Sequence, residues 1–269
     1  MNVYYNKKEE LKAKAEKHKT AMEKELKKET ERCIRHTTLY GGDDGKQVPD
    51  VGRALSVKSN IHIVVDQFDS VKSLILHKEG KTAVLNFASY KNPGGMFLEG
   101  SSAQEECLCH ASNLYNVLEG FPQYYAWNKK HCNRALYTNR ALYTEDVIFL
   151  DESVCVYGAD TAKITADVIT CAAPNYYAAG RYANVPREEN ETALMERIKF
   201  VLDIAEDNCV DTLILGAYGA GVFGQDAKVV AKCFKECLET YDYHFKTVYF
   251  SILNRGKINN YKKFKEVFG

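Results

Sequence analysis

The fold is decided by the stretch Asn92-Pro93-Gly94-Gly95-Met96 and, after seven intervening residues, Gln104-Glu105-Glu106. The apolar run Ala83–Phe87 precedes it and is typical of a buried strand. A helical pattern begins at Gln104. Glycines let the backbone approach a ligand closely, and a helix N-terminus presents free N–H groups and a positive dipole end. This unit of strand, glycine loop and helix predicts an anion site at one edge of an α/β sheet.

A second glycine loop, Gly216–Gly224, follows the strand pattern Thr212–Leu215 and precedes another helix. Its last six residues, Gly219–Gly224, match G-x-G-x-x-G, which is a weak signal alone. A nicotinamide-binding unit would place a carboxylate at the end of the next strand, but the strand pattern Thr247–Ile252 offers none. A hydride-transfer enzyme is therefore disfavoured. Two loops on neighbouring strand ends predict a crevice for one diphosphate ligand, and two merely glycine-rich turns are the alternative.

Strand patterns alternate with helical patterns along the rest of the chain. The remaining predicted strands are Ile61–Val65, Asp146–Leu150 and Val168–Cys171, and the predicted helices are Ser70–His77, Gln104–Leu118, Glu191–Glu206, Asp226–Thr240 and Asn259–Phe268. Such alternation predicts an α/β sheet covered by helices on both faces. The pentapeptide Arg134–Thr138 is repeated as Arg140–Thr144, which we interpret as a local duplication in a loop.

Residues 5 to 33 predict one long helix with a thin apolar stripe among alternating lysines and glutamates. The stripe consists of Leu11, Ala15, Met22 and Leu26. We expect this helix to be solvated and to pack one face on the domain. A helix that binds a partner is the alternative interpretation.

Composition excludes several classes of protein. The 269 residues contain 36 Lys+Arg and 36 Asp+Glu, so bulk charge does not favour binding to nucleic acid, and no direct sequence-specific nucleic-acid binding is expected. No apolar run is long enough to span a membrane, and the charged N-terminus is unlike a signal peptide. Nine cysteines without an export signal predict reduced thiols in the cytoplasm, and their spacing predicts no metal site.

Glu105 and Glu106 open the predicted helix Gln104–Leu118. At 100° per residue Glu106 points nearly opposite to the apolar stripe, and Glu105 lies to one side, so the two acids cannot be equivalent. We expect one to touch a scissile bond and the other to position substrate. Acids that only complement the helix dipole are the alternative. The helix N-terminus is expected to lower the pKa of the catalytic carboxyl, and a bound diphosphate to raise it again.

These motifs resemble the signature of the microbial-type poly(ADP-ribose) glycohydrolases, a glycine triplet followed after a short spacer by Gln-Glu-Glu. Ala172–Asn175 and His36–Tyr40 resemble further family segments, and the similarity covers about residues 30 to 255. The resemblance implies a macrodomain-like three-layer α/β/α sandwich with a mixed, mostly parallel central sheet. Residues 36–269 would form the catalytic domain, and residues 1–35 an N-terminal helical extension.

The activity implied by this resemblance is hydrolysis of the ribose–ribose O-glycosidic bond in poly(ADP-ribose), which releases ADP-ribose without a metal or cofactor. Glu106 would be the catalytic acid, and Glu105 would bind the ribose hydroxyls beside the scissile bond. The implied partners are ADP-ribose, poly(ADP-ribose) and ADP-ribosylated macromolecules. Two alternatives remain: an ADP-ribose-binding reader with little turnover, and a mono-ADP-ribosyl hydrolase.

The resemblance also implies a set of substrate-binding residues. They are Asn92, Gly94, Gly95, Met96, Gln104, Asn175, Gly219, Ala220, Gly221, Val222, Phe223, Gly224 and Phe250. The two glycine loops would hold the diphosphate, Phe223 would pack beside the ribose-phosphate, and Asn92 would contact the distal ribose. Phe250 is assigned to adenine from its strand position. Met96 stands where the family has its third glycine, and its side chain is expected to crowd the diphosphate.

Overall fold

The computed structural model describes residues 2–52, 60–150, 163–254 and 259–269, with side chains from residue 7 onward. Its strands form a sheet of seven in the order β1-β4-β5-β3-β6-β7-β2. The strands are β1 Thr37–Gly41, β2 His62–Asp66, β3 Thr82–Phe87, β4 Arg140–Leu150, β5 Lys163–Cys171, β6 Thr212–Leu215 and β7 Thr247–Ser251. Only β4 runs antiparallel to its neighbours, so within the described residues the sheet is mixed and mostly parallel.

Helices lie on both faces of this sheet. They are α1 Asn2–Glu25, α2 Lys27–Arg35, α3 Ser70–His77, α4 Gln104–His110, α5 Leu114–Leu118, α6 Pro122–Lys130, α7 Tyr176–Ala183, α8 Arg187–Asp207, α9 Ala227–Thr240 and α10 Asn260–Phe268. On β3, Ala83 and Leu85 pack with α8, α9 and α10, whereas Val84 packs with α1 and α3 to α6. This alternation is the period of two expected for a strand buried on both faces. The predicted α/β/α sandwich is confirmed.

The N-terminal segment differs from the single helix predicted over residues 5 to 33. It forms two helices, because the backbone at Leu26 leaves helical geometry (φ −121°, ψ 27°). The predicted stripe does pack on the domain: Ala15 is fully buried in the core beneath α4 and α5, and Met22 and Leu26 pack on Ile148 of β4. The division into residues 1–35 and 36–269 stays a prediction.

The predicted helix Gln104–Leu118 is also two helices. Ser112 breaks it, since its Oγ donates to the Leu108 carbonyl at 2.7 Å and accepts from the Leu114 N–H at 3.1 Å. A serine that bonds backbone on both sides in this way competes with the helical ladder. The break leaves α4 with only seven residues.

Some elements were missed. The sequence patterns predict no strand at β1 and no helix at α6 or α7, and β4 begins at Arg140 instead of the predicted Asp146. Asp146 has φ +53° and lies at the register shift between Thr144 and Val147, so a bulge interrupts the strand pattern. The second copy of the repeated pentapeptide therefore belongs to β4, and the loop prediction for it was wrong. In the part of the chain that is described, no helix has the length and apolar character needed to cross a membrane.

Gly100 lies where the first glycine loop packs closely against α1, and a substitution at this position tests that contact. Its φ is +77°, and a Cβ there would lie 2.3 Å from the Lys8 carbonyl oxygen of α1. We expect Gly100→Ala to lower the free energy of unfolding by about 1–3 kcal/mol through backbone strain and the clash. Chemical unfolding would measure the change.

Gly180→Ala is the matched control. Gly180 lies inside α7, where a Cβ would meet its nearest neighbour at 3.9 Å. The control should leave stability unchanged or raise it by up to about 1 kcal/mol. Equal losses in the two variants would contradict the assignment of Gly100.

Candidate active site

A cavity of about 570 Å³ opens at the carboxyl ends of β3, β6 and β7. This is the edge of an open α/β sheet at which ligands bind. The first glycine loop, the start of α4 and the second glycine loop form most of its walls. Among its lining residues are Ser89, Asn92, Gly95, Met96, Gln104, Glu105, Glu106, Gly219, Gly221, Val222, Phe223, Ser251, Ile252 and Leu253. The structure thus brings the two predicted loops together around one crevice.

Gln104 ties α4 to the sheet. β3 pairs with β6 only as far as Val84, and beyond that point the two strands no longer pair. The Gln104 side chain takes the place of a strand partner: its Nε2 donates to the Leu85 carbonyl at 2.8 Å, and its Oε1 accepts from the Phe87 N–H at 2.8 Å. Nε2 also donates to Ser70 Oγ of α3 at 3.0 Å. Gln104 lines the cavity, but its amide is used to anchor the helix.

Glu105 is buried, with 3 % of its surface exposed. Its Oε2 accepts from the Ser89 N–H at 2.7 Å, and its Oε1 accepts from Asn86 Nδ2 at 3.3 Å. Burial is the main cause that raises the pKa of this carboxyl from 4.5 to about 8; the nearby Glu106 adds to the rise, and the hydrogen bonds from Ser89 and Asn86 oppose it. Glu105 is therefore held by the protein on both oxygens and keeps its proton at neutral pH.

Glu106 is buried as well, but it is held on one oxygen. Its Oε1 accepts from the Met96 N–H at 2.9 Å. Its Oε2 is buried and has no hydrogen-bond partner in the described part of the chain. Buried polar atoms are seldom left unpaired, so this oxygen is a candidate for contact with a ligand.

Gly95 brings the two acids to one point of the loop. Its φ is +63°, and a Cβ there would lie 2.5 Å from Glu106 Oε1 and 2.8 Å from Glu105 Oε2. The prediction that the two side chains point in different directions is therefore wrong, because both turn toward this glycine at the end of a short helix. The two acids have different hydrogen-bond partners, and the division of catalytic roles between them stays a prediction. Although Glu105 lies at the helix N-terminus, burial raises its pKa.

Met96 occupies its place without backbone strain. Gly94 and Gly95 have φ of +62° and +63°, whereas Met96 lies outside the left-handed region. Its side chain is 51 % exposed and borders the cavity. A residue with a Cβ is thus compatible with this loop, and the effect of the methionine on a diphosphate stays a prediction.

The second loop is shaped by its own glycines. Gly219 has φ +72°, and a Cβ there would lie 2.8 Å from the Ala173 Cβ, so this position needs glycine. Gly221, Val222 and Phe223 face the cavity. Ala220 and Gly224 instead line an adjoining pocket of about 370 Å³ between the loop and α8.

Gly94, Ala220 and Gly224 do not line the cavity, and neither do two further predicted binding residues, Phe250 and Asn175. Phe250 is fully buried on β7 and packs on Phe234 at 5.2 Å and Phe268 at 4.6 Å between ring centroids. The assignment to adenine fails because the side chains of a strand alternate, and Phe250 points into the core. Asn175 caps α7, since its Oδ1 accepts from the Ala178 N–H at 3.0 Å. Its position does not line the cavity.

Asn86 and Ser89 were missed, although both hold Glu105. Asn86 is fully buried, and its Nδ2 also donates to Thr170 Oγ1 of β5 at 3.3 Å. Its signal in the sequence was a polar residue within the apolar run Ala83–Phe87. Ser89 acts through its backbone N–H, which no sequence pattern reveals.

Comparisons with known proteins agree with this geometry. The model of the microbial-type PARG catalytic domain family matches residues 7–152. Poly(ADP-ribose) glycohydrolase from Thermomonospora curvata, bound to the inhibitor ADP-HPD, is 26 % identical with a TM-score of 0.80, and the match covers 96 % of this chain and 99 % of that one. The enzyme from Deinococcus radiodurans in complex with ADP-ribose is 30 % identical with a TM-score of 0.79, covering 89 % and 96 %. No match was found among curated protein sequences.

The raised pKa of Glu105 predicts how stability depends on pH. Between its ordinary value of 4.5 and about 8, the folded protein holds a proton that the unfolded chain has released. The free energy of unfolding should therefore fall as the pH rises through this window, and Glu105→Gln should reduce that fall. Chemical unfolding at several pH values would measure it. Glu196→Gln, which changes an exposed carboxylate, is the control, and an unchanged slope in Glu105→Gln would refute the assignment.

Proposed function

The chain belongs to the microbial-type poly(ADP-ribose) glycohydrolase family, and from this premise we propose that Glu106 is its catalytic acid and Glu105 its ribose-positioning acid. The chain is accordingly a hydrolase that acts on poly(ADP-ribose) and releases ADP-ribose. The assignment of roles to individual residues rests on the geometry of this cavity.

The single observation that carries the assignment is the unpartnered Oε2 of Glu106. Cleavage of a glycosidic bond needs a carboxyl that protonates the leaving oxygen as positive charge develops on the sugar. Within the described residues, Glu106 combines burial, a place on the cavity wall and an oxygen that the protein leaves unbonded. Glu105 has both oxygens engaged by Ser89 and Asn86, which suits a residue that fixes the ribose hydroxyls.

The proposed step conserves protons. Protonated Glu106 gives its proton to the bridging oxygen while the bond from that oxygen to the anomeric carbon breaks. A water molecule adds to the anomeric carbon, and its released proton returns to the Glu106 carboxylate. Glu105 stays neutral, because its pKa of about 8 keeps the proton on it at pH 7. The cleft then presents less negative charge to the substrate diphosphate.

The substrate would lie across both glycine loops. ADP-ribose is bound by the Deinococcus radiodurans enzyme and ADP-HPD by the Thermomonospora curvata enzyme, and a cavity of about 570 Å³ has the size typical of small-molecule sites. We assign the diphosphate to the backbone of Gly94–Met96 and Gly219–Gly224, the distal ribose to Asn92, and the ribose-phosphate to Phe223. Gln104 is assigned to anchoring α4. A cytoplasmic location and the lack of sequence-specific nucleic-acid binding stay predictions from the sequence.

Glu106→Gln tests the proposal. The amide keeps the shape of the side chain but cannot donate an acidic proton, so we expect release of ADP-ribose from poly(ADP-ribose) to slow by about 10²–10⁴-fold. Binding of free ADP-ribose, measured by calorimetry, should change by less than a few-fold. Chromatography of products formed without added metal gives the rates, and Glu196→Gln serves as the exposed control.

Three outcomes are distinguishable in this experiment. Release by the wild type and its loss in Glu106→Gln supports the assigned acid. Equal rates in both proteins would refute the role of Glu106. Tight ADP-ribose binding with no release by the wild type would identify a reader and refute turnover.

A further inference from the structure

Helix α7 carries an exposed cluster of two tyrosines and an arginine, which we call the α7 patch: Tyr177, Arg181 and Tyr182. The tyrosines are 54 % and 74 % exposed. The Arg181 guanidinium lies 5.7 Å from the centroid of each ring, within the range of a cation–π contact. Large aromatic side chains exposed together on a surface often mark a binding site.

The α7 patch is continuous with the wall of the cavity. The Tyr177 N–H donates to the Phe223 carbonyl at 3.0 Å, and a Cβ at Gly224 would lie 3.2 Å from the Tyr177 Cβ. Phe223 and the neighbouring Val222, which is 82 % exposed, line the cavity itself. A ligand that extends past the second glycine loop therefore meets α7 next.

The order of the strands says which part of the substrate reaches it. Asn86 of β3 links Glu105 to Thr170 of β5, which places Glu105 on the β5 side of the cavity. The acids thus lie toward the β5 end, and α7 follows β5 in the chain. If one terminal ADP-ribose unit fills the cavity with its scissile bond at the acids, the rest of the polymer emerges beside α7.

We infer that the α7 patch binds the poly(ADP-ribose) chain beyond the scissile bond, an inference that rests on the proposed function. Adenine rings stack on exposed aromatic side chains, and a guanidinium pairs with diphosphate oxygens. Tyr177 and Tyr182 provide the stacking surfaces, and Arg181 between them provides the positive charge. The patch contributes affinity for long polymer and nothing to the cleavage step.

The test compares Arg181→Gln/Tyr182→Ala with the wild type on two substrates. Tyr177 is left intact because it supports the second glycine loop. On long poly(ADP-ribose), the half-saturating concentration should rise about tenfold, the effect expected from losing one stacked base and one charge contact. On ADP-ribose carrying an aryl leaving group, kcat and KM should stay within twofold.

Arg35→Gln/Leu76→Ala is the matched control, since it also removes one exposed arginine and one exposed apolar side chain, on α2 and α3. This control should leave the half-saturating concentration for long polymer unchanged, and likewise kcat and KM on the aryl substrate. The same variants in the Glu106→Gln background allow polymer and free ADP-ribose binding to be measured by fluorescence anisotropy. The anisotropy measurement tests the α7 patch even if the wild type cleaves neither substrate. A wild type that cleaves neither substrate would refute the proposed function, not the inference about the α7 patch.

Three results would overturn the inference. The first is an unchanged half-saturating concentration and anisotropy for long polymer in Arg181→Gln/Tyr182→Ala. The second is equal loss on the aryl substrate, which would show that α7 only supports the cavity. The third concerns a competitor. Poly(A) RNA serves as a competitor: if it displaces poly(ADP-ribose) with equal affinity, the patch is a general polynucleotide surface and the inference fails.

Discussion

The site depends on the pair of hydrogen bonds through which the Gln104 amide completes β3. Where β3 and β6 separate, the Leu85 carbonyl and the Phe87 N–H lose their strand partner, and leaving such groups unpaired costs about 1–3 kcal/mol each. Gln104 satisfies both and thereby fixes the first residue of α4. A seven-residue helix has little stability of its own, so this anchor and its buried face hold it in place. Glu105 and Glu106 are the two residues of α4 that follow Gln104, so the anchor at Gln104 also sets their positions at the cavity.

Much of the fold could be predicted from the sequence, because strong local signals mark many of its elements. Ser70–His77 and Thr212–Leu215 were predicted with the bounds that the structure has, and the Asp69 side chain caps the first of these. The edge strand β1 was missed since it is only partly buried and carries little apolar signal. The break at Ser112 was missed because helical periodicity continues through it, and only a side-chain hydrogen bond ends α4.

For the candidate site, the sequence predicted the cluster but not its electrostatics. The two glycine loops and the Gln-Glu-Glu segment met as expected, because carboxyl ends of parallel strands share one edge. The pKa of Glu105 could not be foreseen, since it depends on burial beneath a loop whose shape is set by Gly95. The misplacement of Phe250 has a similar origin: strand position gives the edge of the sheet, but not the face to which a side chain points.

The central position of β3 has a consequence for biosynthesis. Both acids follow β3 closely in the chain, but the two strands that flank β3 are β5 and β6, which are translated much later. A nascent chain that ends near residue 150 already carries Glu105 and Glu106, yet it lacks both neighbours of β3 and the whole second glycine loop. The long-range pairings form slowly compared with local helices. Catalytic competence is therefore acquired late, when the last third of the chain has been translated and has joined the sheet.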